Sequence, residues 1–198
     1  MKRPAVPPKK AVQKVAAAVP ESFGLAPLPD ILEADLDIVF VGINTGTYSA
    51  KRGHYYARPQ NLFWPMLYQS GLIPFPLKPE DDWKLIRFRI GVTDAVKRVT
   101  DRSSDLSAAE LKEGGEIVRR KILFYQPKIV CFNGLTSYRA LAGSDGGPGP
   151  KPDRIGTSRL FAVPSTSRRN AFYSREKVLF WFKELARFRR EGQGERVS

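Results

Sequence analysis

The sequence predicts an α/β fold: a three-layer α/β/α sandwich around a central, mostly parallel sheet of about four strands. Three observations predict it. Short, almost continuous apolar runs recur at residues 37–41, 90–92, 128–132 and 159–163, as expected for strands covered on both faces. Helical signals fall between these runs. Each run also ends in a polar loop, and parallel strands joined by helical crossovers gather such loops along one edge of the sheet.

The elements follow in order. Residues 1–29 read as a basic, proline-rich flexible tail, interrupted by Pro4, Pro7, Pro8, Pro20, Pro27 and Pro29 and charged by Lys2, Arg3, Lys9, Lys10 and Lys14. Such a tail serves either as a solvated leader or as a non-specific attractor of phosphates. A single domain is predicted over 30–190, with a polar C-terminal tail over 191–198. Pro59 suits a first helical turn, so 60–70 is predicted helical, stopped by Gly71 and Pro74. A short helix is predicted over 81–87. Ser107 is a good N-cap, with Glu110 at capping-box spacing, for a helix Ala108–Tyr125 that Pro127 ends. Asn133-Gly134 turns into a helix Leu135–Leu141, and 143–152 reads as a Gly/Pro-rich loop. Ser174 caps a last helix that runs to about Arg190. No internal repeat is present.

Charge narrows the partner. The 33 Lys+Arg against 20 Asp+Glu leave +13, which favours a polyanion, most commonly a nucleic acid. The single cysteine, Cys131, sits in an apolar run, so no internal disulfide and no zinc or iron–sulfur quartet can form. No cofactor is predicted. No apolar run approaches the roughly 18–20 residues of a membrane span, and 15–19 is too short for a secretory signal core. The expected setting is the bacterial cytoplasm, beside the nucleoid, or a nucleus.

Three strand-end loops carry the chemistry: Gly42-Ile43-Asn44-Thr45-Gly46, Gly91-Val92-Thr93-Asp94 and Pro164-Ser165-Thr166-Ser167-Arg168-Arg169-Asn170. The first lacks the lysine and the length of a P-loop, and its glycine spacing is not that of a dinucleotide site. The lone histidine, His54, excludes most histidine-dependent triads unless it is itself the base.

Joined by the run Ala57-Arg58-Pro59-Gln60-Asn61-Leu62-Phe63-Trp64 and by Tyr68-Gln69-Ser70-Gly71-Leu72, these loops resemble the mismatch-specific uracil/thymine branch of the uracil-DNA glycosylase superfamily. That branch carries Gly-Ile-Asn-Pro-Gly, a Pro-x-Asn-x-Phe-Trp run and a Tyr-Gln-x-Gly helix end. The resemblance spans roughly residues 36–185. It implies a monofunctional, cofactor-free enzyme, acting as a monomer on double-stranded DNA that holds U:G or related mismatches. Such an enzyme extrudes uracil, cuts its N-glycosidic bond and leaves an abasic site, the first step of base excision repair.

The resemblance also implies roles. Asn44 matches the catalytic asparagine, whose carbonyl oxygen orients a water; the alternative is an Asx-turn. Gly42 and Ile43 offer backbone groups to the base, while Ser49 and Tyr56 line its pocket, with Tyr55 a rival for the stacking ring. Ser165 and Ser167 contact phosphate. Arg169 fills the hole left by the extruded base, with Arg168 beside it. Lys51, Arg52, Arg58, Lys97, Arg98 and Arg102 form a candidate phosphate track. The chain departs from the pattern twice. Thr45 replaces proline, which is expected to loosen the turn. Asp94 is either a second catalytic group, as a base for water or a stabiliser of the sugar cation, or merely the N-cap of a segment 95–98. The third loop lacks the histidine of the most uracil-specific branch, which suggests a slower, more permissive enzyme. Two other classes fit the same residues: a non-catalytic DNA-binding module on this fold, and an unrelated α/β enzyme that uses 42–46 for a phosphorylated metabolite.

Overall fold

The structure is a computed structural model that describes residues 24–142, 146–169 and 172–194. Most of the predicted leader, Asn170 and the end of the C-terminal tail lie outside the described residues.

The sheet has five strands in the order β2-β1-β3-β5-β4: β1 Ile38–Gly46, β2 Ile90–Thr100, β3 Ile129–Asn133, β4 Gly149–Ile155 and β5 Ser158–Val163. Strands β2, β1, β3 and β5 run parallel, and β4 closes one edge antiparallel to β5. The mostly parallel α/β/α architecture is therefore as predicted, with one strand more. That strand falls where a Gly/Pro-rich loop was expected. Pro150 and Pro152 are tolerated because β4 is an edge strand, whose outward positions need no donor.

Alternation along β1 sends successive side chains to opposite faces. Ile38 and Phe40 join one core with Phe63, Met66, Leu67, Leu85, Phe161, Phe182 and Leu185. That layer is built by α2 Phe63–Gln69, a 3-10 helix Pro79–Phe88 and α5 Arg175–Gly194. Val39 and Val41 join the other core with Val96, Val118, Ile122, Val130, Phe132, Tyr138 and Leu160, under α3 Ala108–Tyr125 and α4 Leu135–Leu141. Each fully buried Phe, Leu or Ile contributes about 1.5–3 kcal/mol, so the two layers hold the sheet independently of the site. The capping box of α3 is present: Ser107 Oγ accepts from the Glu110 N–H at 3.2 Å. Gly114 lets α3 lie on β2, since a Cβ there would press on the Ala95 carbonyl.

Three local expectations are corrected. The segment 95–98 is not a capped helix: β2 continues through Thr100, and Asp94 is an interior strand residue. The helix expected over 60–70 is shorter, because Asn61 Oδ1 accepts from the Phe63 N–H and holds the preceding turn open. A short helix not expected from the sequence, α1 Thr47–Arg52, follows β1 directly and ends at Gly53 with φ 75°. Among the described residues, no helix is long and apolar enough to cross a membrane.

At the end of the sheet away from the strand-end loops, Asp37 is clasped by Arg89, Lys128 and Arg189 at 3.1, 2.7 and 2.8 Å. The cluster joins the starts of β1 and β3 to α5.

Candidate active site

In the order β2-β1-β3 the chain leaves β1 to one side and later returns to the other, so the crevice beside β1 is a topological switch point. A cavity of about 1200 Å³ opens there. Its walls include Gly42–Gly46 of β1, Asp94 and Thr100 of β2, Asn133 at the end of β3, and Pro164–Arg169 beyond β5. Residues 42–46 and 91–94, expected as loops, lie within β1 and β2; 42–46, Asp94 of the second segment and the 164–169 loop meet at this cavity. Ile43, Ser49, Tyr56 and Arg58 also line it.

Asn44 is locked in one orientation. Its Nδ2 donates to Thr100 Oγ1 at 2.7 Å and to the Arg98 carbonyl at 3.1 Å. The Thr100 hydroxyl spends its own hydrogen on the Arg102 carbonyl at 2.7 Å, so toward Asn44 it can only accept. Both contacts demand the NH₂ end of the amide. The carbonyl oxygen is left over for the cavity, as an acceptor without a protein donor among the described residues.

Asp94 is Cα-paired with Gly42 across the parallel ladder, and paired residues point to the same face. Gly42 has no side chain, and the Asp94 carboxylate occupies the vacant space: a Cβ at residue 42 would collide with Asp94 Oδ1. Asp94 Oδ2 accepts from Thr45 Oγ1 at 2.6 Å. Asp94 is only 4 % exposed. Burial raises its pKa above the ordinary carboxylate value, while the Thr45 hydroxyl and then Lys97 pull it back. Thr45 therefore does more than replace a proline: it grips the carboxylate that marks the chain's other departure.

Tyr56 stands with φ 54°, an uncommon backbone conformation for an aromatic residue. The strain is held by a ring stack on Phe63, with centroids 3.9 Å apart and planes at 27°. Its hydroxyl is buried beside Gly42 and Asp94 and makes no good hydrogen bond within the protein. Burial, and after it the Asp94 charge, push the phenol well above its usual pKa, so it stays protonated. Ser49 Oγ accepts from the Ala57 N–H at 3.1 Å and so anchors the Tyr56 loop to α1. Tyr55 is 3 % exposed and packs in the core rim, with its carbonyl accepting from Trp64 Nε1 at 3.2 Å. His54 is not in the cavity wall; its Nδ1 lies 3.3 Å from Asp82 Oδ2.

The loop after β5 is bolted down by residues the sequence did not single out. Asn133 Nδ2 donates to Thr166 Oγ1 at 3.0 Å, and Asn133 Oδ1 accepts from the Thr166 N–H at 3.1 Å. The Thr166 carbonyl accepts from the Leu62 N–H at 2.9 Å. Ser165 Oγ accepts from the Ser167 N–H and Ser167 Oγ from the Arg169 N–H, each at 3.3 Å, which makes the loop a run of tight turns. Arg168 and Arg169 are exposed at its tip, and Arg169 Nη1 donates to the Asp101 carbonyl across the cavity mouth.

The predicted phosphate track divides. Lys51, Arg52 and Arg58 are exposed around α1. Arg102 is exposed but outside the cavity wall. Lys97 is bound to Asp30 at 2.6 Å, and Arg98 to Glu110 at 2.6 Å, so neither cation is free for a phosphate. Asp30 also takes Lys121 at 2.7 Å; burial alone would raise its pKa, but the two lysines outweigh it and hold the carboxyl below its usual range. Among the described residues no three His, Cys, Asp or Glu side chains gather as a metal-ligand set.

A buried carboxylate, an oriented amide oxygen and a protonated phenol converge on one cavity with a basic rim. That set can hold a water, accept its proton and face a planar ring. The family model of the uracil DNA glycosylase superfamily matches residues 29–187. In solved structures, the chain is similar to a Methanosarcina acetivorans protein, determined by solution NMR and provisionally described as a uracil DNA glycosylase. The TM-score is 0.56 at 21% identity, covering 81% of this chain and 98% of that one. That likeness bears on the fold; the family match bears on descent. The chain belongs to the uracil DNA glycosylase superfamily.

Proposed function

We propose that the protein is a monofunctional, mismatch-specific uracil-DNA glycosylase. It acts as a monomer on duplex DNA, in the bacterial cytoplasm or a nucleus, and starts base excision repair at U:G and related mismatches. The observation that carries this reading is one cavity lined by Asn44, whose amide nitrogen is spent on Thr100, and by Asp94, whose carboxylate sits with the Tyr56 hydroxyl beside Gly42, with the Ser165–Arg169 loop in the same wall.

The chemistry runs as follows. Extruding a base costs a few kcal/mol, least for a mismatched one, and Arg169 offsets that cost by filling the vacated space with Arg168 beside it. Ser165, Ser167, Lys51 and Arg58 hold the flanking phosphates. The flipped base lies against Tyr56 and Ser49, and the backbone of Gly42 and Ile43 reads its edge. A water rests on the Asn44 carbonyl oxygen. As the C1′–N bond breaks, its electron pair leaves with the base and C1′ becomes cationic. The Asp94 carboxylate stabilises that cation and takes a proton from the water as its oxygen bonds to C1′. The base anion is then protonated and released, and an abasic site remains.

The test is release of base from U:G, U:A, T:G and single-stranded uracil substrates, read as alkali-labile strand breaks. The reading requires cleavage at uracil, fastest opposite guanine. DNA binding without cleavage on any substrate would leave a non-catalytic module instead.

A further inference from the structure

A second groove, of about 660 Å³, runs beside the active-site cavity and shares Tyr48, Tyr56, Arg58 and Asn61 with it. It follows the exposed side of α2 past Pro65, Tyr68 and Gln69. Its far bank is the stretch from Pro76 to Glu80, with Arg175 of α5 at one end. Beyond that shared wall, nothing in the glycosylase reading uses it.

Two properties define what fits. The first is charge. Arg52, Arg58, Lys78 and Arg175 line the groove against a single carboxylate, Glu80. Elsewhere the buried-side cations are spent: Lys97, Lys121, Arg98, Arg89, Lys128 and Arg189 all sit on carboxylates. Among the described residues, none of the four groove cations makes an ion pair. The second property is aromatic surface. At the junction with the cavity, the guanidinium groups of Arg52 and Arg58 lie 5.6 and 5.3 Å from the Tyr48 ring centroid, which fixes two positive charges on one post. Beyond it Tyr68 is 45 % exposed, on a helix surface where nothing covers it. Unpaired cations interleaved with an open aromatic face are the features by which a single nucleic-acid strand is held: charges follow its phosphates and rings stack on its bases.

We infer that on single-stranded uracil DNA this groove carries the strand that continues from the uracil nucleotide, giving the enzyme one-sided contacts to its flanking nucleotides. The inference rests on the glycosylase reading, because the shared wall at Tyr48, Arg58 and Asn61 makes the groove an extension of the base cavity. Phe63 to Gln69 of α2 spans about 9 Å at 1.5 Å per helical residue, the length of roughly three stacked nucleotides. A proline-rich peptide is the rival occupant, since the aromatic residues Tyr48, Trp64 and Tyr68 also line the groove. The excess of unpaired cations favours the polyanion.

The experiment measures dissociation constants and single-turnover excision for single-stranded uracil oligonucleotides lengthened one nucleotide at a time, on the 5′ side or the 3′ side of the uracil. Affinity is expected to climb over the first three or so added nucleotides on one side only, by roughly tenfold or more in total. Tyr68→Ala and Arg175→Glu, both at exposed positions, are each expected to flatten that climb by about fivefold. A climb that is equal on both sides, or that survives both variants, overturns the inference. So does Tyr68-dependent binding of a polyproline peptide with no one-sided length effect on DNA. Length-dependent binding that both variants abolish, without uracil release from any substrate, would sustain the groove and sink the glycosylase reading.

Discussion

Thr45 donates a 2.6 Å hydrogen bond to Asp94, and these are the two positions that stand out in the sequence as departures from the pattern it resembles. The departures form one device. A buried carboxylate needs a donor to remain ionisable, and the residue that replaces proline supplies it. Removing the donor in Thr45→Val keeps the β-branched shape and takes away only the hydroxyl. Burial already raises the Asp94 pKa, and losing the Thr45 bond raises it further. If Asp94 works as a base it must be ionised, so excision falls as pH drops through its pKa. In the variant the acid limb of the pH–rate profile moves to higher pH, so the loss is largest on the acid side and narrows as pH rises. An unchanged profile would separate Thr45 from the chemistry.

The Asn44 amide is oriented by Thr100 and the Arg98 carbonyl. Asn44→Ala removes the water's acceptor and is expected to cost about 10²–10³ in the single-turnover rate. Thr100→Val leaves Asn44 in place but frees its amide to rotate, so a loss of about tenfold is expected, with uracil-DNA affinity nearly unchanged. Equal losses in rate and affinity would make Thr100 a folding residue only.

The salt dependence of DNA binding separates the free cations from the paired ones. Lys51, Arg52, Arg58, Arg168 and Arg169 give a slope of log K on log salt near −4 to −5 if all five meet phosphates. Arg58→Ala reduces the magnitude by about one. Lys97→Ala leaves the slope unchanged, because its ammonium is held by Asp30 at 2.6 Å. Titrations between 50 and 300 mM salt check both.

Asp37 is a stability residue remote from the cavity. Burial alone would raise its pKa, but Lys128, Arg189 and Arg89 outweigh that and hold it below the usual carboxylate value. A depressed folded pKa gives stability that is present above the unfolded value, near 3.9, and is lost as pH falls through the folded one. Asp37→Asn leaves three cations short of a counter-charge and is expected to cost on the order of 3 kcal/mol at pH 7 in urea melts. The gap from the parent chain closes as pH falls below about 4.

The sheet and the meeting of Gly42–Gly46, Asp94 and the 164–169 loop were legible because strands covered on both faces read as apolar runs that give way to polar residues, although two of the three segments prove to be strand and not loop. The full reach of β2 was not. Thr93, Asp94, Lys97 and Arg98 look like the end of a strand and the start of a capped turn. They remain in the strand because residues far off in sequence satisfy them: Asp30 accepts from Thr93 and Lys97, Glu110 pairs with Arg98, and Thr45 donates to Asp94. β4 was hidden by its prolines, which only an edge position tolerates. Of the site, Asn44, Asp94 and the Ser165–Arg169 loop were named from their order in the chain. Asn133 and Thr100 were not, because pinning another residue needs no motif of its own. The lone signal for Asn133 was an amide at the end of a buried strand, which also describes an ordinary turn.

The most direct test of the central claim compares parent and Asp94→Asn proteins on a U:G duplex, with single-turnover excision, equilibrium binding and thermal melting measured on the same preparations. Because the folded pKa of Asp94 is raised, its ionised form destabilises the fold above that pKa, so the neutral amide should melt no lower than the parent at pH 7. Excision should fall at least about a hundredfold while affinity changes by less than about threefold. Excision that is unchanged, or that falls only in step with binding, would contradict the assignment of Asp94 to the reaction.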